Sequence, residues 1–187
     1  MDIVFATRNP GKAREVAQLL DGRRVLTLDD IGFSDAVDET GDTFRANALL
    51  KARAVPFDGI VLADDSGLVI DALDGRPGVR SARFLGDVSY TVKNLHILER
   101  LAEVPEGLRS ARFVCVMACR FPDGRTVTVE GILEGRIAFQ PAGDNGFGYD
   151  PIFCPAGSEQ TLAQLSLAEK NALSHRFRAV AQLKKFL

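Results

Sequence analysis

The chain has 187 residues, of which 46% are hydrophobic and 26% are charged, and its formal net charge is −2. This length predicts one domain over residues 1–187 with a buried core, and the slightly acidic balance argues against a nucleic-acid-binding protein, whose surface is basic. The sequence has no apolar run of the ~18 residues needed for a membrane span, and its start lacks the pattern of a signal peptide.

Three cysteines are present, Cys115, Cys119 and Cys154. Their number is odd and they show no Cys-x-x-Cys spacing, so we expect neither a disulfide framework nor a zinc site. Free cysteines are typical of reducing compartments, and we predict a cytoplasmic protein.

The first predicted elements are a strand over residues 3–6 and a helix that begins near Pro10. Asn9 suits the N-cap of this helix and Pro10 suits its first position. We expect Asp21 and Gly22 to end it. Its buried face is predicted from apolar residues at helical spacing: Ala13, Val16, Ala17 and Leu20.

The turn between this strand and this helix, Thr7-Arg8-Asn9-Pro10-Gly11-Lys12, is a candidate phosphate-binding turn. A helix N-terminus attracts anions through its N–H groups and its dipole, and Lys12 adds a full positive charge in the first turn. The turn is not a Walker A loop, because it lacks that motif's glycines and the Ser or Thr after the lysine. The alternative is an ordinary capped helix whose lysine points into solvent.

A second strand is predicted over residues 24–28, followed by an acidic loop over residues 29–42 and a helix over residues 43–55. In that helix Asn47 and Lys51 lie one turn apart, so their side chains can point toward the same place. Apolar residues at helical spacing predict the buried face of the helix: Phe44, Ala48, Ala52 and Val55.

Two adjacent carboxylates, Asp64 and Asp65, follow an apolar run and precede Ser66-Gly67 and a second apolar run. We predict a strand that delivers both carboxylates to its C-terminal end, with a turn at Ser66-Gly67. Carboxylates suit Mg²⁺, which takes one or two of them and leaves its other positions to water and phosphate. Turn chemistry alone is the alternative, because Asp, Ser and Gly are common turn residues.

The second half of the chain is predicted to contain a helix over residues 89–104, strands over residues 109–121, 126–133 and 135–139, and a last helix. That last helix is expected to begin at the capping box of Ser166 and Glu169 and to end near residue 187. The buried residues expected in the two helices are Val92, Leu95, Leu98, Leu101 and Ala102, then Leu173, Phe177, Val180 and Leu183.

A glycine-rich loop over residues 141–151 contains Phe147 and Tyr149. Glycines allow the backbone to approach a ligand closely, and an aromatic face stacks on a nucleobase with about 1–3 kcal/mol. The loop is therefore a candidate base-binding loop. The alternative is a structured turn whose phenylalanine belongs to the core.

These motifs, taken in their order, resemble the inosine/xanthosine triphosphate pyrophosphatase family, and the similarity extends from residue 2 to the last helix. Each motif is short, but the ordered set is specific. The matching segments are Thr7-Arg8-Asn9-Pro10-Gly11-Lys12, Glu39-Thr40-Gly41, Thr43-Phe44, Asn47-Ala48, Lys51-Ala52, Ala63-Asp64-Asp65-Ser66-Gly67-Leu68, Pro77-Gly78, Ser81-Ala82-Arg83, Gly146-Phe147-Gly148-Tyr149-Asp150-Pro151, Glu169-Lys170 and Ser174-His175-Arg176.

The resemblance implies an α/β fold with a long mixed β-sheet flanked by helices and two lobes around a central cleft. It implies Mg²⁺-dependent hydrolysis of ITP, dITP and XTP to the monophosphate and pyrophosphate. Members of the family are usually homodimers. We expect a purine nucleoside triphosphate as substrate, with no stable nucleic-acid partner and no membrane partner.

The resemblance also assigns roles to single residues. Asp65 corresponds to the acid that holds the metal and acts as base toward water, and Lys12 and Lys51 are expected to stabilise charge on the departing pyrophosphate. The second metal ligand is expected at Asp38, where the family has Glu, with Glu39 as the alternative. The residues assigned to substrate binding are Thr7, Arg8, Asn9, Pro10, Gly11, Lys12, Lys51, Ser66, Phe147, Gly148, Tyr149, Asp150, Lys170, His175 and Arg176.

Base selection also has a physical interpretation. A cationic donor such as Arg176 would favour the 6-oxo group of hypoxanthine or xanthine over the 6-amino group of adenine. Two other functions stay open. One is a pyrophosphatase for damaged pyrimidines or methylated bases, and the other is a nucleotide-binding regulator without turnover, against which the presence of Lys12 and Asp65 argues.

Overall fold

The computed structural model describes residues 2–20 and 22–187. Six strands form one sheet in the order β2-β1-β3-β4-β5-β6. The strands are β1 (Ile3–Phe5), β2 (Val25–Leu26), β3 (Ile60–Ile70), β4 (Ser110–Arg120), β5 (Thr126–Ile137) and β6 (Phe153–Pro155). The helices are α1 (Pro10–Leu19), α2 (Phe44–Ala54), α3 (Tyr90–Arg100), α4 (Leu167–Leu173) and α5 (His175–Leu183).

The sheet is mixed, as predicted. Strand β1 pairs in parallel with β2 and β3, whereas β5 and β6 are antiparallel. The register aligns Ile3 with Ile60 and Phe5 with Leu62. Since β1 ends at Phe5 while β3 continues to Ile70, the turn after β1 lies beside the middle of β3.

The chain forms two compact units. Unit 1 comprises residues 1–66, 115–131 and 175–187, and unit 2 comprises residues 67–114 and 132–174. Each has its own apolar cluster. The unit 1 cluster includes Phe5, Leu62 and Met117, and the unit 2 cluster includes Leu68, Ile97 and Phe153.

The predicted turn at Ser66-Gly67 is wrong, because β3 passes through both residues without interruption. The two aspartates therefore lie in the middle of β3 and not at its C-terminal end. Successive side chains of a strand point to opposite faces of the sheet. The side chains of Asp64 and Asp65 consequently have different hydrogen-bond partners, although the charge of Lys51 acts on both.

The single C-terminal helix is also wrong, since it is divided into α4 and α5. Ser174 between them has ψ of 154°, an extended conformation that an α-helix cannot contain. His175 and Arg176, which lie outside the predicted buried face of this helix, are buried, whereas Phe177, predicted to be part of that face, is exposed. The predicted buried stripe of α3 is only partly confirmed, since Leu101 is buried and Leu98 packs against the unit 2 core, whereas Val92 and Leu95 are 48% and 47% exposed.

Several local predictions are confirmed. Asn9 acts as the N-cap of α1, and Ser166 and Glu169 form the capping box of α4. Thr43 and Ser89, at which two further helices were predicted to begin, are the N-caps of α2 and α3. Asp21, which was predicted with Gly22 to end α1, lies outside the described residues. Among the helices of residues 2–20 and 22–187, none has the length and apolar character that crossing a membrane requires.

Candidate active site

The turn after β1 begins the candidate site in unit 1. The Asn9 side chain accepts hydrogen bonds from the backbone N–H groups of Gly11 and Lys12 at 2.9 and 3.1 Å, and Asn9 N–H donates to Thr7 Oγ1. Arg8 donates to the carbonyl oxygens of Ser34 and Asp35. The cap thus fixes where Lys12 leaves the helix, and Arg8 fastens the turn to the loop before α2.

Lys12 does not extend into solvent but forms an ion pair with Asp64. The distance from Lys12 Nζ to Asp64 Oδ2 is 2.8 Å, and Ser66 Oγ donates to the same oxygen at 2.5 Å. Ser66 can reach Asp64 because the two residues lie on the same face of β3. The lysine predicted to bind phosphate is therefore held at its ammonium group by a buried carboxylate.

Arg176, the second residue of α5, joins this group from a distant part of the sequence. Its NH1 donates to Glu15 of α1, and its NH2 lies 3.5 Å from Asp64 Oδ2 and 3.4 Å from Ser66 Oγ. Glu15, Asp64 and Arg176 are 2%, 1% and 1% exposed. The predicted contact of Arg176 with the base remains a prediction, but the structure places its guanidinium in a buried ion-pair network.

Asp65 points to the other face of β3, where α2 supplies its partners. Asn47 Nδ2 donates to Asp65 Oδ2 at 3.0 Å, and Lys51 Nζ lies 3.7 Å from Asp65 Oδ1. Lys51 also donates to Glu39 Oε1 at 2.7 Å. The prediction that Asn47 and Lys51 point toward the same place is confirmed.

The two aspartates differ in their affinity for protons. Burial by itself would raise the pKa of Asp64, but the cations of Lys12, Arg176 and Lys51 outweigh it and hold that pKa well below its usual range. The pKa of Asp65 is raised, mainly by burial, and Lys51 and Asn47 oppose the shift only in part. Asp64 is thus a fixed anion, whereas Asp65 is the carboxylate more disposed to accept a proton.

Glu39 and Asp65 are the carboxylates that suit a divalent cation. Lys51 places a positive charge between them, and the negative charge of Glu39 contributes to the raised pKa of Asp65. Carboxylate oxygens are the ligands that Mg²⁺ prefers, and one or two suffice when phosphate and water complete its shell. In the described part of the chain, no three His, Cys, Asp or Glu side chains form a metal-binding group. A metal ion at this position would be bound by the carboxylates of Glu39 and Asp65.

Asp38, expected as the second metal ligand with Glu39 as the alternative, stays a prediction. Its side chain is exposed, whereas the adjacent Glu39 is partly buried and bonded to Lys51. Glu39 is therefore the alternative that the structure favours. The physical reason is that Lys51 on α2 draws one carboxylate of the pair inward.

The candidate base-binding loop lies in unit 2 and is organised around one carboxylate. Asp150 Oδ2 accepts from Phe147 N–H at 2.8 Å and from Lys170 Nζ at 2.7 Å. The Lys170 ammonium also lies 4.2 Å from the centre of the Phe147 ring, in a cation–π contact. Gly146 has φ of 75°, and a Cβ there would lie 2.2 Å from Asp150 Oδ2, so the turn requires glycine.

The two residues between Phe147 and Asp150 face the interior of unit 2. Tyr149 is buried, donates its hydroxyl to the Ser81 carbonyl at 2.8 Å and packs edge-on against Tyr90. The Gly148 carbonyl accepts from Asn94 Nδ2 at 3.1 Å. Tyr149 is therefore a support for the loop, and Phe147 is the ring that stays partly exposed.

Sequence reasoning missed Glu15 and described two other charged residues of the unit 1 site, Glu39 and Asp64, incompletely. Glu15 lacked any signal, because a glutamate in the first turns of an amphipathic helix is usually solvated. Glu39 was only an alternative, and Asp64 was grouped with Asp65. Period-two alternation along a continuous strand could have separated the two aspartates.

Comparisons with known proteins show which family the chain is similar to. The Ham1 family model matches residues 3–186. The chain is 47% identical to the dITP/XTP pyrophosphatase of Exiguobacterium sibiricum, with 100% of this chain and 97% of that protein covered.

Two solved structures are also similar. The Staphylococcus aureus Ham1 protein superposes with a TM-score of 0.89 at 38% identity, covering 100% of this chain and 97% of that one. The nucleoside-triphosphatase, or dITP/XTP pyrophosphatase, of Mycobacterium abscessus gives a TM-score of 0.78 at 44% identity, covering 98% of both chains. On the full-length match and these levels of identity, the chain belongs to the Ham1 family.

Proposed function

We propose that the protein hydrolyses deaminated purine nucleoside triphosphates, ITP, dITP and XTP, to the monophosphate and pyrophosphate. The observation that carries the proposal is the pair of lysine–aspartate sites on opposite faces of β3, Lys12 with Asp64 and Lys51 with Asp65. The names of the family relatives support the substrate class. Removal of such nucleotides from the cytoplasmic pool is the role that follows.

We assign the metal to Glu39 and Asp65 and propose that it is Mg²⁺. Bound Mg²⁺ would neutralise negative charge on the triphosphate oxygens and so favour nucleophilic attack on phosphorus. Lys51, already between the two carboxylates, would then be available to the phosphates. The protein supplies the two oxygen ligands and the positive charge around them.

Side chains of the protein carry out the remaining steps of the hydrolysis. Asp65, whose pKa is raised by burial, orients a water molecule toward the α-phosphorus and accepts its proton as the bond to pyrophosphate breaks. Lys12, positioned by Asp64, stabilises the charge on the departing pyrophosphate. Phosphoryl chemistry needs this alignment and charge neutralisation more than covalent help from the protein.

Base binding is assigned to the loop of unit 2. The Phe147 ring is held on one side by Lys170 and offers its remaining surface for stacking. Stacking accepts any purine, so discrimination between 6-oxo and 6-amino bases requires hydrogen-bond donors such as His175 or Arg176. We also propose that the protein is a homodimer, as the family resemblance implies.

The test is pyrophosphate release measured across a panel of ITP, dITP, XTP, ATP, GTP and modified pyrimidine triphosphates, with Mg²⁺ and with a chelator. We expect release from the three deaminated purine nucleotides and its loss when the metal is removed. Preferred hydrolysis of a modified pyrimidine would contradict the substrate assignment. Binding without release from any member would identify a regulator.

A further inference from the structure

We propose that Glu15 is a positioning residue that orients the Arg176 guanidinium, so that its Nε–H stays open to an oxygen atom of the nucleotide. The proposal rests on the proposed function, since it concerns the same substrate. It adds a residue that does not touch the substrate, and it names the donor through which Arg176 acts.

The position of Arg176 is fixed by contacts within unit 1. Its side chain is buried between Glu15, which binds NH1, and Asp64 and Ser66, which lie near NH2. The backbone of α5 is fixed as well. A Cβ built on Gly131 of β5 would lie 2.0 Å from the His175 carbonyl oxygen and 2.5 Å from Ala179 N, so the first turn of α5 packs directly against this glycine.

Glu15 accepts a hydrogen bond from Arg176 NH1, whereas Asp64 is also engaged by other groups. Asp64 Oδ2 already accepts from Lys12 at 2.8 Å and from Ser66 at 2.5 Å, and Arg176 NH2 is 3.5 Å away from it. Without the Glu15 charge, Arg176 would be drawn toward Asp64 and would compete with Lys12 for the same oxygen.

This arrangement leaves one donor of Arg176 unused. Its Nε–H has no hydrogen-bond acceptor among residues 2–20 and 22–187, although the side chain is almost fully buried. A guanidinium is a rigid planar fork, so holding its two terminal nitrogens also sets the direction of Nε–H. A buried donor without an acceptor is unfavourable, and a ligand oxygen would satisfy it.

The ligand atom is therefore an oxygen acceptor of the nucleotide. Two sources share this chemistry, the 6-oxo group of the base and an oxygen of the phosphates. A base contact would affect selectivity between ITP and ATP, whereas a phosphate contact would affect the affinity for inorganic pyrophosphate. The experiment separates them by measuring both.

The experiment compares Glu15→Gln, which keeps the shape but removes the charge, with Glu103→Gln, a matched change at an exposed glutamate. We measure kcat/KM for ITP and ATP, the Kd of pyrophosphate by calorimetry, and Tm. For Glu15→Gln we expect a loss of about 10- to 100-fold in either the ITP/ATP ratio or pyrophosphate affinity, as for one hydrogen bond to a charged group. Glu103→Gln should match the unmodified protein.

A double-mutant cycle with Arg176→Lys tests whether Glu15 acts through Arg176. Lysine keeps the positive charge but lacks the Nε–H, so adding Glu15→Gln to it should produce little further loss. Full additivity, or a folded Glu15→Gln variant with both the ratio and the affinity unchanged, would overturn the proposal. If Glu15→Gln fails to fold, the same double-mutant cycle is made with Glu15→Asp, which keeps the charge but shortens the side chain.

Failure of this proposal is distinguishable from failure of the proposed function. If the unmodified protein hydrolyses ITP and the Glu15→Gln variant is unaffected, the role of Glu15 is refuted and the proposed function stands. Absence of hydrolysis in the unmodified protein removes the function, and the pyrophosphate titration still reports on the role of Glu15.

Discussion

Two arginines, Arg109 in unit 2 and Arg176 in unit 1, are each 1% exposed, yet their partners differ in kind. Arg109 donates only to backbone carbonyls, those of Leu101, Val104, Ile137 and Ala138. Arg176 donates to the carboxylates of Glu15 and Asp64, and its Nε–H lacks an acceptor in the described residues.

We interpret this difference as one between a structural cation, Arg109, and a cation with a proposed functional role, Arg176. Arg109 joins the end of α3 to β5 within unit 2, and Nε, NH1 and NH2 each have an acceptor there. Arg176 belongs to a network whose members include residues that we assign to catalysis. The carboxylates also raise the pKa of Arg176, so burial does not remove its charge. The identity of the acceptors, more than the degree of burial, distinguishes the two.

The largest expected effect is that of Asp65→Asn, which tests the functional side of this comparison. The amide keeps the shape but binds Mg²⁺ poorly and cannot accept a proton, so kcat/KM for ITP should fall by at least about 10²–10³-fold. Tm should stay within a few degrees of the unmodified value. Asp58→Asn, an exposed change in the same unit, is the control, and near-normal turnover by Asp65→Asn at saturating Mg²⁺ would refute the assignment.

Arg109→Met tests the structural side. Four carbonyl oxygens would lose the Arg109 donor, of which the Leu101 oxygen keeps its bond from Val104 N–H. Each buried acceptor left unpaired costs about 1–3 kcal/mol. We expect a loss of at least about 3 kcal/mol and a Tm lower by about 6–12 °C, with normal kcat for the molecules that remain folded. Arg100→Met at an exposed site serves as control. A variant with unchanged Tm but impaired catalysis would reverse the distinction.

Lys12→Met should have an intermediate effect, confined to polyphosphate. The variant loses the ammonium that Asp64 holds in place, so we expect pyrophosphate and ITP affinities to fall by about 10- to 100-fold. The affinity for inosine monophosphate should fall less. Competition assays with the two products measure the difference, and Lys185→Met provides an exposed lysine as control. Equal weakening of both products would show that Lys12 does not lie near the pyrophosphate end.

Phe147→Ala extends the comparison to the loop of unit 2. Removal of the ring should raise KM for ITP, XTP and ATP by a similar factor of about 5- to 150-fold, because every purine has a face to stack. Pyrophosphate affinity should stay unchanged. Phe186→Ala, which removes an exposed ring, is the control. A loss of pyrophosphate binding in Phe147→Ala would contradict the division of roles between the two units.

The smallest effect is expected at the cysteines of unit 1. Burial raises the pKa of Cys115 to about 11 and that of Cys119 to about 12, and the negative charge of Asp64, 4.0 Å from Cys115 Sγ, contributes to the rise at Cys115. Both thiols should therefore stay protonated and unreactive toward a disulfide reagent at pH 8, and hydrolysis should continue after treatment. In guanidinium chloride all three cysteines should react. Rapid labelling of the native protein with loss of activity would show that these thiols are accessible.

Local chemistry explains what the sequence could predict. The caps at Asn9 and Ser166 depend on residues within three positions, and the neighbouring α2 residues Asn47 and Lys51 converge because they are one turn apart. The order of the motifs was enough to predict the family and the mixed sheet. These features need no information from distant parts of the chain.

Long-range pairing explains what could not be predicted. Glu15 and Arg176 are 161 positions apart, so no local pattern links them. Ser66-Gly67 has the composition of a turn, but β3 lies between β1 and β4 in the sheet and continues as a strand. The break at Ser174 is similarly hidden, because the flanking residues are ordinary helix formers.

Because β3 runs without interruption, the geometry of the site depends on the number of residues in this strand as well as on their identity. Insertion or deletion of one residue before Asp64 would rotate every following side chain to the opposite face and exchange the partners of the two aspartates. Lys12 would then meet the residue that belongs opposite α2. Apart from changes at Asp64, Asp65 and Ser66, we therefore expect substitutions in this strand to be tolerated better than insertions or deletions.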